Sequence, residues 1–184
     1  MENGKSSYCR FLEGEKDALT EIVAEYSDGL VLYINSIIHN ICVSEELMEE
    51  VFVKLVTKKP DFSGKSTFKT WLYSIARYTA LDYIKHTSRY SSMPVDEAYK
   101  LSDKENIEAN YLREEQKIAV HKALDSIKDI YRQVIFLTFF EGFSNEETAQ
   151  ILHKTKRQIE NLNYRAKQAL KDELGREGFV YEKL

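Results

Sequence analysis

The chain reads as an all-α protein: two small helical domains joined by a flexible linker. Three observations predict this. Apolar residues recur at three-and-four spacing along most of the chain, turn formers are scarce (7 Gly and 2 Pro in 184 residues), and strand-like alternation with hairpin turns is missing. With 43% hydrophobic and 30% charged residues, the chain has the material for a core and is not disordered throughout.

The elements follow in order. Residues 17–42 place Leu19, Ile22, Val23, Tyr26, Leu30, Tyr33, Ile34, Ile37, Ile38 and Ile41 at helical spacing, as one or two amphipathic helices. A helix at about 45–57 sets Leu47, Met48, Val51, Phe52 and Leu55 on one arc and Glu45, Glu46, Glu49 and Glu50 on the other. It stops at Lys58-Lys59-Pro60, because proline disfavours helix at the residue before it. The next helix runs from about Ser66 to His86, with Phe68, Trp71, Leu72, Ile75, Ala76, Thr79 and Tyr83 as its buried stripe. Tyr73, Arg77, Ala80, Leu81 and Ile84 lie on the opposite arc, so this helix is either sandwiched or keeps one face for a partner.

From Thr87 to about Leu112 the periodicity lapses into a polar, net acidic stretch with 3 basic and 5 acidic residues, which separates a domain at 1–86 from one at 113–184. The second domain is expected to contain helices at about 113–126 and 129–140, the latter closed by Gly142. Ser144 and Glu147 form a Ser-x-x-Glu capping box that opens a short helix to Leu152, and Thr155 and Gln158 form a second box that opens a helix to about Leu174. Two capped helices separated by about three residues have the layout of a helix-turn-helix.

Net charge is −4, but its distribution is uneven. Residues 1–50 carry 3 basic and 11 acidic side chains, residues 51–86 carry 7 and 2, and residues 153–171 carry 6 and 1. An acidic stretch beside two basic ones suggests separate surfaces for different partners, although solvated helix faces give the same pattern. Cys9 and Cys42 and the scattered His39, His86, His121 and His153 have no metal-ligand spacing, and no cofactor is expected. Paired carboxylates, a nucleophile–histidine arrangement and a Gly-rich phosphate loop are all missing, which argues against an enzyme. With no leader-like or bilayer-length apolar run, the expectation is a cytoplasmic protein without membrane insertion.

In the last helix Ile159, Leu162, Ala166, Ala169 and Leu170 face inward, while Arg157, Asn161, Tyr164, Arg165 and Gln168 face outward. Arginine matches guanine edges, and asparagine or glutamine matches adenine. A plain helical hairpin with a basic outer face fits the same pattern, as does a stand-alone regulator that binds a palindrome as a dimer.

Two blocks narrow these alternatives. Ser44–Phe52 followed by Phe68–Arg77 resembles the second region of bacterial RNA polymerase sigma factors, whose small extracytoplasmic-function (ECF) members read roughly A-E-D-L-V-Q-E-V-F and then F-x-x-W-L-x-x-I-A. Gly142–Leu152 with Arg165-Ala166-Lys167 resembles their fourth region, so the resemblance covers about residues 10–86 and 113–174. It implies a subunit that binds core RNA polymerase and directs promoter-specific initiation. The implied partners are the clamp helices of the largest polymerase subunit, the flap of the second-largest, promoter DNA and a masking anti-sigma factor.

Carried onto this chain, the resemblance assigns polymerase binding to Glu45, Glu46, Leu47, Glu49, Glu50 and Val53. It assigns melting of the minus-10 element and single-strand contact to Lys65, Lys69, Tyr73, Arg77, Tyr78 and Lys85. Reading of the minus-35 element falls to Lys156, Arg157, Glu160, Asn161, Tyr164 and Arg165. The chain departs from the pattern at Glu49, Tyr78, Lys85, Gln158 and Glu160, and Leu162 and Asn163 look like a polar/apolar exchange, so no promoter consensus is carried over.

Overall fold

The computed structural model describes residues 3–90, 120 and 122–176. The linker from residue 91 onward, the first part of the helix expected from 113, and the tail from 177 lie outside the described residues. The N-terminal unit is built of α1 (Asn3–Leu12), α2 (Asp17–Ile38), α3 (Ile41–Lys58) and α4 (Phe68–Tyr90). The C-terminal unit has a helical stretch at 122–126, α5 (Asp129–Ile135) running into a π-helical turn (Phe136–Phe140), α6 (Asn145–Leu152) and α7 (Lys156–Arg176). No strand occurs among the described residues.

α1 is an element that the sequence reading did not anticipate. It buries Tyr8 and Phe11, and the Tyr8 hydroxyl donates to the Pro60 carbonyl at 2.7 Å. Burial, with Asp61 nearby, pushes that phenol up to about 12. The apolar run at 17–42 resolves into two helices. α2 ends where His39 turns left-handed (φ 60°) and its N–H closes on the Asn35 carbonyl. Asn40 then caps α3 by accepting from the Val43 N–H at 3.2 Å, so α3 starts four residues earlier than its charge pattern suggests.

An aromatic cluster organises the first unit. The Phe68 ring lies 5.5 Å from Tyr8, 5.8 Å from Tyr26, 5.8 Å from Phe62 and 5.4 Å from Trp71. This is the spacing of favourable tilted and edge-on aromatic pairs. α4 continues to Tyr90, past the expected end near His86, and is buried on both arcs: Tyr73 and Ala80 are as inaccessible as Phe68, Leu72 and Ala76. The reason is the second unit, which packs α6 on α4 and extends the same core through Val134, Leu137, Phe143 and Ile151. Of the two readings open for a helix apolar on both sides, sandwiching is the one observed over this part of α4.

The helix expected at 129–140 changes character at Phe136. Glu141 N–H bonds the Phe136 carbonyl at 3.0 Å, a five-residue step that widens the turn, and leaves Phe139 and Phe140 exposed. Gly142 follows at φ +70°, a conformation in which a side chain is strained.

Both predicted caps are present. Ser144 Oγ accepts from the Glu147 N–H at 3.2 Å while Glu147 returns to the Ser144 N–H at 3.0 Å. Gln158 and Thr155 repeat the exchange at 2.8 and 3.2 Å. Glu147 is partly desolvated, which opposes ionisation, yet bonds from Ser144, Thr70 and Thr67 outweigh this and hold its carboxyl below the usual range. A carboxyl depressed on folding stabilises the protein above its unfolded pKa and ceases to as pH falls through the folded value. Glu147→Gln is therefore expected to flatten the drop in melting temperature below about pH 4, the region of an ordinary Glu pKa; a drop identical to wild type would refute the assignment.

Candidate functional site

The helix-turn-helix is formed by α6 and α7. His153, left-handed at φ 52°, ends α6 with its N–H on the Ala149 and Gln150 carbonyls, and Thr155 caps α7 two residues later. Ile159, Ala166 and Leu174 anchor α7 to the unit, while Lys156, Arg157, Glu160, Asn161, Tyr164 and Arg165 are all exposed. The six residues assigned to minus-35 reading thus share one helix and none is consumed by the core. Lys156 is tethered to Glu146 by an ion pair, which raises its pKa, first through the hydrogen bond and then through the charge. Asn163, at the polar/apolar exchange, accepts from Thr138 at 3.1 Å and donates to Asn145 at 2.8 Å. This pair of bonds ties α7 to the segment before it and to the start of α6.

The acidic face lies on α3. Glu45, Glu46, Glu49, Glu50 and Val53 are exposed, and Glu50 pairs with Lys54 at 2.8 Å. Leu47 corrects the sequence assignment: it is 5% exposed and belongs to the core with Val51 and Leu55, one turn inward from the carboxylates. α2 contributes what the sequence reading missed. Leu32 is half exposed and lines a groove with Asp28, Val31, Glu45, Met48 and Glu49, so the acidic face has an apolar floor.

The single-strand candidates are divided. Lys65 stands exposed on the loop before α4, and Tyr78 and Lys85 are exposed along α4, where they line a groove with Lys54, Ile75 and Leu81. Arg77 is half-buried. Tyr73 is the second correction: it does not face outward but is fully buried, and its hydroxyl donates to Glu141 at 2.6 Å. Burial first, and then the Glu141 bond, raises its pKa well above the ordinary tyrosine range, so it remains a donor. Lys69 lies beside it, with its ammonium 2.9 Å from the Glu141 carboxylate and 2.8 Å from the Glu141 carbonyl.

More contacts join the units at either side of this pair. Thr67 and Thr70 each reach Glu147 at 3.3 Å, and the Tyr78 hydroxyl meets His153 at 2.6 Å. Gly29, in mid-α2, makes room: a Cβ there would lie 2.3 Å from the Tyr73 hydroxyl and 2.7 Å from Glu141. A glycine inside an apolar helix costs roughly 1 kcal/mol relative to alanine, and this was the one sequence signal that could have pointed to the contact.

An acidic-faced helical bundle joined to a helix-turn-helix with an open recognition helix defines a DNA-binding transcription factor that also has a protein-docking face. Comparison with known proteins makes the class specific. The family model for sigma-70 region 2 matches residues 23–90, and that for sigma-70 region 4 matches residues 117–170. The chain is 27% identical over 170 residues to the RNA polymerase sigma-H factor of Pseudomonas aeruginosa, covering 88% of each chain. It is 28% identical over 170 residues to the ECF RNA polymerase sigma-E factor of Escherichia coli, again covering 88% of each. Among solved structures, the sigma factor RpoE of Bartonella quintana, in complex with the anti-sigma factor NepR, superposes with a TM-score of 0.69 at 21% identity, covering 85% of this chain and 96% of that one. CnrH, in complex with the cytosolic domain of CnrY, superposes with a TM-score of 0.68 at 19% identity, covering 94% and 97%.

The chain belongs to the sigma-70 family of RNA polymerase sigma factors, and its curated relatives place it with the ECF type. It is a transcription initiation factor that works with RNA polymerase at specific promoters. Among the described residues no helix is long and apolar enough to cross a membrane.

Proposed function

We propose that the two units divide the work of initiation. The exposed arc of Glu45, Glu46, Glu49, Glu50 and Val53, with Leu32 at its floor, docks on the clamp helices of the largest polymerase subunit. A carboxylate row with an apolar centre suits a basic amphipathic partner. α7 reads the minus-35 element through Arg157, Asn161, Tyr164 and their neighbours, and the second unit touches the flap. Lys65, Lys69, Arg77, Tyr78 and Lys85, with Tyr73 once uncovered, hold the melted minus-10 strand by phosphate contact and base stacking. The domain limits of this reading are 1–86 and 113–184, with 87–112 as a flexible acidic tether. The protein acts in the cytoplasm without catalysing a reaction itself, and an anti-sigma factor belongs to the same scheme as a masking partner.

The observation that carries this reading is α7, on which all six candidate DNA contacts are exposed together. Arg157→Ala is expected to reduce promoter-directed transcription about tenfold, in keeping with roughly 1–3 kcal/mol for a good base contact, while binding to core polymerase persists. An unchanged transcript level would remove Arg157 from the DNA interface. Glu50→Lys is expected to abolish co-elution with sigma-free core polymerase at moderate salt while the helical circular dichroism signal is retained. Retained co-elution would return the acidic arc to a merely solvated face.

A further inference from the structure

Lys69 and Tyr73 face a carboxylate of their own chain. Glu141 places one oxygen 2.9 Å from the Lys69 ammonium and 2.6 Å from the Tyr73 hydroxyl, and its carbonyl takes a second bond from Lys69. The Phe143 ring packs edge-on to Tyr73 at 5.0 Å and lies 4.8 Å from the Lys69 ammonium. An anion on the lysine, an acceptor on the tyrosine and an aromatic ring against both are what a phosphate and its stacked base would supply. Glu147 adds a second carboxylate on the Thr67 and Thr70 hydroxyls.

We infer that Glu141 is an intramolecular competitor of single-stranded DNA: in the free protein it occupies Lys69 and Tyr73 and holds the second unit closed over α4, so the melted strand gains this face only when the units part. The inference rests on the reading of Lys69 and Tyr73 as single-strand contacts. Closure is also written into α2, because Gly29 leaves the space into which the Tyr73 hydroxyl and the Glu141 carboxylate fit. The Glu141 side chain is only 14% exposed, so the contact is shielded from solvent and less open to screening than a surface pair.

The test is fluorescence anisotropy of the full-length protein with a pool of short, randomised single-stranded DNA oligonucleotides at low salt, beside small-angle scattering of the free protein. Glu141→Ala removes the competing anion, and Gly29→Ala expels it sterically without removing a charge. Each is expected to tighten binding about tenfold, the factor that 1.4 kcal/mol makes, and to enlarge the radius of gyration. In a Lys69→Ala background the gain should vanish. Wild-type affinity in both variants overturns the inference, as does a gain that survives Lys69→Ala, because the latter is a general effect of charge or shape. Promoter opening by polymerase loaded with Lys69→Ala separates the two levels. Impaired opening together with unimproved binding by Glu141→Ala and Gly29→Ala sinks the competitor alone; normal opening sinks the single-strand role of Lys69 itself.

Discussion

Replacing Phe68 by alanine will cost about 3–5 kcal/mol of stability, the range for truncating a fully buried phenylalanine. Phe68 is inaccessible to solvent and opens α4, with four aromatic rings from α1, α2, α4 itself and the loop before α4 converging on it. None of these rings can fill the gap without leaving another partner, so the cavity will collapse only in part. Trp71, the single tryptophan, lies within ring contact of Phe68 and makes its fluorescence a local reporter during urea unfolding. The same change will loosen the first turn of α4, which carries Lys69, so promoter opening is expected to fall with stability. A loss below about 1 kcal/mol, nearer to that of a minor packing change, would show that the cluster repacks freely.

Arg132→Ala will be comparably severe and confined to the second unit. The Arg132 guanidinium is 6% exposed and donates to the carbonyls of Leu124 at 2.6 Å, Asp125 at 2.8 Å and Ile127 at 3.3 Å. One side chain thereby satisfies the acceptors left at the end of the helical stretch 122–126, where no further helical N–H follows. Desolvation lowers its pKa from the ordinary arginine value, and Asp125 and Asp129 oppose that effect, so the group remains a charged fork. Alanine strands the three carbonyls, at a cost of about 3 kcal/mol or more. Hydrogen exchange is expected to accelerate through 122–135 while α1–α3 stay protected, and transcription should fail although co-elution with core polymerase persists. Lysine should not rescue the variant, because one ammonium cannot reach in the three directions of the fork. Protection equal to wild type would refute this account.

How much of the protein was legible in the sequence depended on the range of the signal. The two caps at Ser144 and Thr155 were readable because each is an exchange across three residues. The acidic arc of α3 and the polar face of α7 were readable because helical periodicity fixes which side chains share a side. Leu47 was misplaced on the polymerase face because its motif neighbours are carboxylates, whereas its angular position is that of Val51 and Leu55. α1 went unread since Tyr8 and Phe11 are too few to make a pattern without the partners that bury them.

By itself the sequence determined the helices, their caps and the charge of their outer faces, because these are settled within a turn or two of the chain. Only the tertiary structure decided what covers α4. Tyr73 and Glu141 are 68 residues apart, Thr70 and Glu147 are 77, and Tyr78 and His153 are 75. Periodicity states that a face is apolar but does not name its partner. That choice is made by packing, which here brings Gly29, Tyr73 and Glu141 from three separate segments into one contact.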